Sequence, residues 1–261
     1  MSMPAAWVHG LATDLRIAIA FSTRLPVAHS VPIGGDDVAR ASWALPIAGL
    51  LVGGLGALAY WIAIRIDLPP SLAAALTLAA TLLATGCLHE DGLADTADGF
   101  GGGKTRAHKL EIMRDSRIGT FGVCALAMSL LLRWSALTTI ADPPSVALAL
   151  LAAHASARAT LPALMRFVPP ARADGLSAQA GRPAPQSIVV AAVLGAIALG
   201  LGLGPLAAII ALILLVAACA FMAWLSLRHI DGQTGDVLGA LEQINEVLVL
   251  LTAVALLKAG R

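Results

Sequence analysis

The sequence predicts an all-α, polytopic integral membrane protein: a bundle of about seven transmembrane helices with an N-terminal amphipathic helix at the membrane interface. Hydrophobic residues make up 58% of the chain and charged residues only 13%, whereas soluble proteins carry about 25% charged residues. The mean hydropathy is +0.84. Apolar runs of about 17 to 25 residues, long enough to cross a bilayer, recur along the chain. Because no linker or repeat interrupts them, we expect one membrane-embedded catalytic domain over residues 1–261.

Net charge and cysteine usage exclude two classes of protein. The formal net charge of +1 argues against nucleic acid as a partner, and the basic residues cluster in loops, as topology signals do. Cys87, Cys124 and Cys219 each lie in an apolar run without the CxxC or Cys/His spacing of a metal site. We therefore predict that they are small, buried hydrophobic side chains.

The first 41 residues contain no predicted span. Residues 7–27 mix apolar side chains with Asp14, Arg16 and Arg24, which makes this segment too polar to cross lipid. The pattern predicts an amphipathic helix lying at the interface. A cleaved signal peptide is not expected, because a charged segment followed by an uninterrupted apolar segment is missing.

Seven predicted spans follow, separated alternately by short turns and polar stretches. The spans are 42–66, 71–88, 119–140, 145–168, 186–203, 206–228 and 236–257. The short turns, which lack Lys and Arg, are 67–70, 141–144 and 204–205, and the polar stretches are 89–118, 169–185 and 229–235. By the positive-inside rule the amino terminus and the polar stretches face the cytoplasm. Lys258 and Arg261 would then lie outside, contrary to that rule.

The longest polar stretch concentrates acidic side chains. They are Glu90, Asp91, Asp95, Asp98, Glu111 and Asp115. If 91–98 is helical, the i, i+4, i+7 spacing places Asp91, Asp95 and Asp98 on one face. Like charges on one face repel each other, so the pattern makes sense chiefly if a cation binds there. Mg²⁺ takes oxygen ligands and keeps waters and substrate phosphates in its shell, which predicts a magnesium site on the cytoplasmic side.

Three ionisable residues fall inside apolar runs: Arg133, His154 and Arg158. An ionisable group is costly in lipid and tends to face a cavity or a partner. Structural pairing and a functional role are both open for each of them.

A second polar patch opens the last span. Thr234 or Asp236 could cap this helix, and Asp236 is also a candidate ligand or catalytic group. Glu242 and Glu246, four residues apart, continue a polar stripe into the membrane. We expect such a stripe to need an aqueous lining.

The run GGGKT at 101–105 invites comparison with a P-loop, but that motif requires Gly where this chain has Asp98, and no buried strand precedes it. Two interpretations of the glycines remain open: a loop turning around a phosphate, with Lys104 as counter-charge, or plain flexibility. These acidic residues lie beside a glycine run and five Lys or Arg residues. Such a neighbourhood is less typical of an intramembrane proton pathway. That combination favours a phosphorylated substrate.

Two neighbouring motifs, HEDGLADTADG at 89–99 and EIMRDSRIGTFG at 111–122, closely resemble the signature of the cobalamin synthase (adenosylcobinamide-GDP ribazoletransferase) family. Weaker matches cover most of the chain, at 23–26, Pro46, Gly49, 172–176 and 234–240. The residues at 241–243 depart from the family pattern.

The resemblance implies an Mg²⁺-dependent transferase of the bacterial inner membrane, with its active site facing the cytoplasm. It would join α-ribazole, or its 5′-phosphate, to adenosylcobinamide-GDP and release GMP. The candidate metal ligands are Glu90, Asp91, Asp95, Asp98 and Asp115. The candidate catalytic residues are His89, Asp91, Asp95, Asp98 and Asp236. The candidate substrate-binding residues are Lys104, Arg114, Arg117, Arg158 and Asp174.

General chemistry agrees with this activity. Phosphoryl-type transfer depends mostly on positioning and on neutralising charge, which one or two Mg²⁺ ions among carboxylates would supply. Arginine forks suit phosphate oxygens, and an acid or His89 would take the hydroxyl proton. A CDP-alcohol phosphotransferase is an alternative, since Asp95-x-x-Asp98-Gly99 opens like that family's motif, although the rest of it does not follow. A non-catalytic permease is another, and a homo-oligomer is compatible with the sequence.

Overall fold

The structure, a computed structural model, describes residues 5–27 and 35–257. It confirms the all-α fold: over these residues the chain is a helical bundle, and its one β-type pairing is an isolated bridge between Pro170 and Gln233. Lys258 and Arg261 lie outside the described residues. The helices are α1 Ala5–Ser22, α2 Gly35–Ala41, α3 Leu45–Arg65, α4 Pro70–Thr85, α5 Leu88–Gly102, α6 Arg106–Ile112, α7 Thr120–Ile140, α8 Pro143–Ala159, α9 Leu161–Phe167, α10 Leu176–Gln179, α11 Pro185–Leu203, α12 Pro205–Ile230 and α13 Gly235–Leu257.

The predicted number of spans is confirmed. Among the described residues, 6 helical segments are long and apolar enough to cross a membrane, and the number is 7 when the bent pair of helices α4 and α5 is counted as one span. The first span begins at Asp36 rather than at residue 42, because α2 continues through a short 3-10 turn into α3. The bent pair turns by 89° at Gly86, whose left-handed φ of 64° suits glycine.

The first half of the predicted polar stretch 89–118 lies inside the bundle. Residues 88–102 form α5, which packs against α13 and α7. Two glycines permit this contact: a Cβ on Gly92 would lie 2.8 Å from the Asp236 carbonyl oxygen, and one on Gly239 would lie 3.1 Å from that of His89. Small residues let helix backbones approach closely in a membrane, so a polar helix is held inside the bundle.

Glycines near the end of α5 serve packing, while the two interpretations drawn from the sequence, a phosphate-binding loop and plain flexibility, stay predictions. Gly101 lies in the last turn of α5, and a Cβ at this position would lie 2.7 Å from the Phe121 ring. At Gly99 a Cβ would lie 2.5 Å from the Met113 side chain. These glycines bring α6 and α7 against α5.

The N-terminal helix predicted at the interface is present as α1, and it is not among the candidate spans. Its Asp14 is buried and accepts hydrogen bonds from Arg40 Nε at 2.8 Å and Trp43 Nε1 at 3.0 Å. These bonds tie α1 to α2 and to the 3-10 turn. The acidic group that makes the segment too polar for a span thus fixes it to the bundle.

The three polar stretches meet at one end of the bundle. Arg106 donates hydrogen bonds to the carbonyl oxygens of Ala171 and, at 3.0 Å, of Ile230. Ala171 N donates to the Gln233 carbonyl oxygen at 2.8 Å. Residues 103–119, 168–184 and 231–234 therefore lie on the same side, as the sequence predicted.

The prediction of buried cysteines is wrong for two of the three. Cys87 and Cys124 are exposed, and Cys219 is partly buried. The reason is that a membrane helix is apolar on its lipid-facing side as well as on its packed side. An apolar neighbourhood in sequence therefore does not establish burial in the fold.

Candidate active site

Three carboxylates converge where α5 crosses the start of α13. Asp91 and Asp95 come from α5, which is helical as the spacing argument required, and Asp236 comes from the first turn of α13. Asp95 interacts electrostatically with Asp91, Asp98 and Asp236, and Asp236 with Asp91. The close approach of Gly92 and Gly239 brings the two helices into this arrangement. Residues far apart in sequence thereby form one acidic cluster.

A cavity of about 460 Å³ adjoins this cluster. Asp91, Asp236 and His89 supply polar groups to its lining, and Phe21, Leu45 and Met165 supply part of its apolar wall. Ligand sites typically combine an apolar lining with a few convergent polar groups. This cavity has that character.

The structure resolves the two roles open to Asp236. Thr234 Oγ1 accepts a hydrogen bond from Val237 N at 3.3 Å, which makes Thr234 the N-cap of α13. The Asp236 carboxylate instead accepts from Thr234 Oγ1 at 3.0 Å and from the Arg172 guanidinium at 3.3 Å. Asp236 is therefore not needed as a cap.

Asp98 has a structural task. One of its carboxylate oxygens accepts from Gly119 N at 2.6 Å and the other from Gly122 N at 2.8 Å. The first turn of a helix presents unpaired N–H groups that favour a negative charge, so Asp98 holds the start of α7 against α5. The sequence analysis predicted the same role for Asp98 as for Asp91 and Asp95, whereas both of its oxygens bind backbone N–H groups at the start of α7.

A buried ion network lies deeper in the bundle. Its members, from α5, α7, α8 and α13, are Glu90, Arg133, His154, Arg158, Glu242 and Glu246. Arg133 donates to Glu90 at 3.0 Å and to Glu246 at 3.1 Å. Arg158 pairs with Glu242, and with Glu246 at 3.1 Å. Buried charges persist when they are paired in this way.

The network corrects three expectations. Glu242 and Glu246 are 0% and 1% exposed, so the expected aqueous lining of their stripe is wrong: arginines, not water, neutralise them. Glu90, a candidate metal ligand, is bound to Arg133 rather than placed with the aspartates. Arg158, a candidate substrate-binding residue, is 1% exposed and contacts other members of the network.

His154, Glu242 and Glu246 have ligand atoms within 4.8 Å of one another, a spacing that a metal ion would also suit. The Arg158 guanidinium already contacts all three of these side chains. It supplies the positive charge that a metal ion would bring. We therefore interpret this group as structural.

His89 links the network to the cavity. Its Nδ1 lies 3.3 Å from Arg158 Nη2 and 3.5 Å from a Glu242 oxygen. Nδ1 therefore lies between a guanidinium, which donates, and a carboxylate, which accepts. The ring also lines the cavity, and its general-base role considered from the sequence stays a prediction.

The remaining predicted residues lie on the surface of the same end. Arg114 donates to Asp174 at 2.6 Å, and this bond holds the pKa of Asp174 below its usual value. Arg117 donates hydrogen bonds to the Asp115 carboxylate at 2.6 and 3.0 Å. These bonds lower the pKa of that carboxyl to about 2. These pairs and the exposed Lys104 are not brought into the cavity lining. The sequence argument overlooked Arg172, which does reach Asp236, although Arg172 opens one of the weaker family matches.

The model of the cobalamin-5-phosphate synthase family matches residues 14–254. The chain belongs to this family. Similar proteins named adenosylcobinamide-GDP ribazoletransferase include one from Bradyrhizobium diazoefficiens, 59% identical and covering 95% of each chain. One from Mesorhizobium japonicum is 53% identical and covers 92% of each chain. One from Ralstonia nicotianae is 44% identical and covers 93% of this chain and 95% of its own.

No solved structure matches the chain significantly. Membership of the cobalamin-5-phosphate synthase family confirms the resemblance found in the sequence. It assigns the chain to the transferases of the final stage of cobalamin synthesis.

Proposed function

We propose that this protein joins α-ribazole, or its 5′-phosphate, to adenosylcobinamide-GDP and releases GMP in an Mg²⁺-dependent reaction. The name of its relatives, adenosylcobinamide-GDP ribazoletransferase, supports the choice of substrates. The observation that carries the proposal is the convergence of Asp91, Asp95 and Asp236 beside the cavity. A phosphorylated substrate entering that cavity meets oxygen ligands, a histidine ring and an apolar wall.

The reaction makes one P–O bond and breaks another. The ribazole hydroxyl oxygen attacks the phosphorus that carries the cobinamide, the bond from that phosphorus to GMP breaks, and GMP leaves with the bonding electrons. The hydroxyl proton passes to a base. Catalysis of such transfers consists mostly of positioning the reactants and of neutralising charge on oxygen atoms.

The residues fit a hard divalent cation. Asp91 is exposed and Asp95 half-buried, so both can reach an ion that keeps part of its water shell, as Mg²⁺ does. Their repulsion with Asp236 is relieved in the structure by the Arg172 side chain. When bound, Mg²⁺ would neutralise charge on the phosphoryl oxygens. Asp98 adds negative charge nearby while it holds α7.

The other groups have distinct tasks. A carboxylate of the cluster takes the hydroxyl proton, because Asp91 and Asp236 line the cavity. The His89 ring lines the same cavity and positions the substrate beside these carboxylates. Phe21, Leu45 and Met165 exclude water from the reacting groups.

Incubation of the purified protein with adenosylcobinamide-GDP, α-ribazole and Mg²⁺ tests this function. We expect stoichiometric GMP and a cobalamin product. A CDP-alcohol phosphotransferase or a permease would form neither, so absence of GMP from folded protein would contradict the proposal.

We further propose that the protein lies in the bacterial inner membrane with residues 103–119, 168–184 and 231–234 on the cytoplasmic side. The support is the Lys/Arg bias of these stretches and their meeting at one end of the bundle. This orientation gives cytoplasmic nucleotides access to the acidic cluster.

Labelling of single cysteines measures this orientation. In a variant without the three native cysteines, cysteine at Ala107 or Ala178 should react with an impermeant maleimide only in inside-out vesicles. Cysteine at the exposed Ile66, in the turn after α3, should react only from the periplasm. Periplasmic labelling at Ala107 or Ala178 in intact cells would overturn the topology.

A further inference from the structure

Arg172 is the basic residue in direct contact with the acidic cluster. Its Nη2 donates to Asp236 at 3.3 Å and its Nη1 to the Leu110 carbonyl oxygen at 3.5 Å. It also interacts electrostatically with Asp95. The side chain is only 18% exposed, so it lies within the site rather than on the open surface.

The guanidinium retains unused hydrogen-bonding capacity. An arginine carries five N–H donors in a planar fork, and the hydrogen bonds formed with described residues use two of them, both with long donor–acceptor distances. Arg172 thus presents a half-used fork beside Asp236, which lines the cavity.

The backbone that carries Arg172 is held in place. Ala171 N donates to the Gln233 carbonyl oxygen and Gln233 N to that of Pro169, both at 2.8 Å. Gly232 packs so closely beneath this pairing that a Cβ there would lie 2.5 Å from the Pro169 carbonyl oxygen. Arg106 adds a hydrogen bond to the Ala171 carbonyl oxygen. The fork is therefore displayed from a rigid support.

We propose that Arg172 binds the diphosphate of the nucleotide substrate through its free donors, in a bidentate contact. The inference rests on the proposed function, and it assigns to Arg172 the task that the sequence had assigned to Arg114 and Arg117. Those two arginines are paired with carboxylates on the exposed surface. Arginine forks match two phosphate oxygens, which a lysine ammonium does not.

Binding of GDP, measured by calorimetry on the detergent-solubilised protein with Mg²⁺, tests the assignment. We expect R172K and R172A each to raise the Kd of GDP at least about tenfold, which corresponds to about 1.4 kcal/mol. The matched control is R182A: Arg182 lies in the same polar stretch, is exposed, and donates to the Arg166 carbonyl oxygen at 3.0 Å. The control should bind GDP as the wild type does.

In turnover, R172K should raise the KM for adenosylcobinamide-GDP and leave the KM for α-ribazole unchanged. If Arg172 were only a counter-ion for Asp236, R172K would bind GDP normally, since lysine keeps the charge. That result would overturn the proposal, and it remains decisive if R172A does not fold. Wild-type protein that binds GDP through Arg172 but forms no GMP would instead refute the proposed function.

Discussion

Replacement of Asp236 by serine is expected to lower the rate of GMP formation by about 10²-fold or more, the size typical of lost acid–base or metal-binding groups. The melting temperature should stay close to that of the wild type. The reason is that Thr234, not Asp236, caps α13, while the Asp236 carboxylate lines the cavity. Serine preserves capping ability and is a poor ligand for a hard cation.

The measurement is the turnover rate together with thermal unfolding in the same detergent. E111Q is the matched control, because Glu111 is an exposed carboxylate of α6 that should tolerate the loss of its charge. Near-normal turnover in D236S with normal melting would show that the carboxylate has no part in the chemistry.

Replacement of Glu246 by alanine is expected to reduce the free energy of unfolding by about 3–5 kcal/mol, the usual cost of breaking a buried ion pair. Glu246 is 1% exposed and faces Arg133 and Arg158, both at 3.1 Å, as well as His154. Arg133 keeps Glu90 and Arg158 keeps Glu242, but the buried donors that faced Glu246 lose their acceptor inside the bundle. In mixed micelles, the variant should lose its helicity at a lower denaturant concentration than the wild type does.

E111A is the control for this change, because the loss of an exposed side chain should alter stability by no more than about 0.5 kcal/mol. A Glu246 variant as stable as E111A would mean that the network contributes little to the bundle. The prediction concerns stability and does not depend on the identity of the substrate.

The spans and the acidic face of α5 could be predicted because they depend on local patterns. A run of apolar residues has the length that a bilayer requires, and Asp91 and Asp95 share a face through helical periodicity alone. The burial of α5 was not visible in this way. It depends on glycines that fit against residues of another helix, as Gly92 does against Asp236.

Partners distant in sequence explain the other differences. Asp98 looked equivalent to Asp95, yet its oxygens bind Gly119 N and Gly122 N at the start of α7. Glu90 was predicted to be a metal ligand, but it forms an ion pair with Arg133. The role of a carboxylate depends on the residues that it contacts in the fold. Those contacts join residues far apart in the chain, so the sequence pattern alone does not show them.

The rate of GMP formation as a function of Mg²⁺ concentration, in wild-type protein and in D95N, tests the magnesium-binding role of the acidic cluster most directly. The wild type should lose activity when Mg²⁺ is chelated and regain it on addition of the metal. D95N should be inactive at limiting Mg²⁺ while it folds and inserts normally, because Asn keeps the shape of Asp95 but removes its charge. Wild-type activity of D95N at limiting Mg²⁺ would contradict the metal role of the cluster.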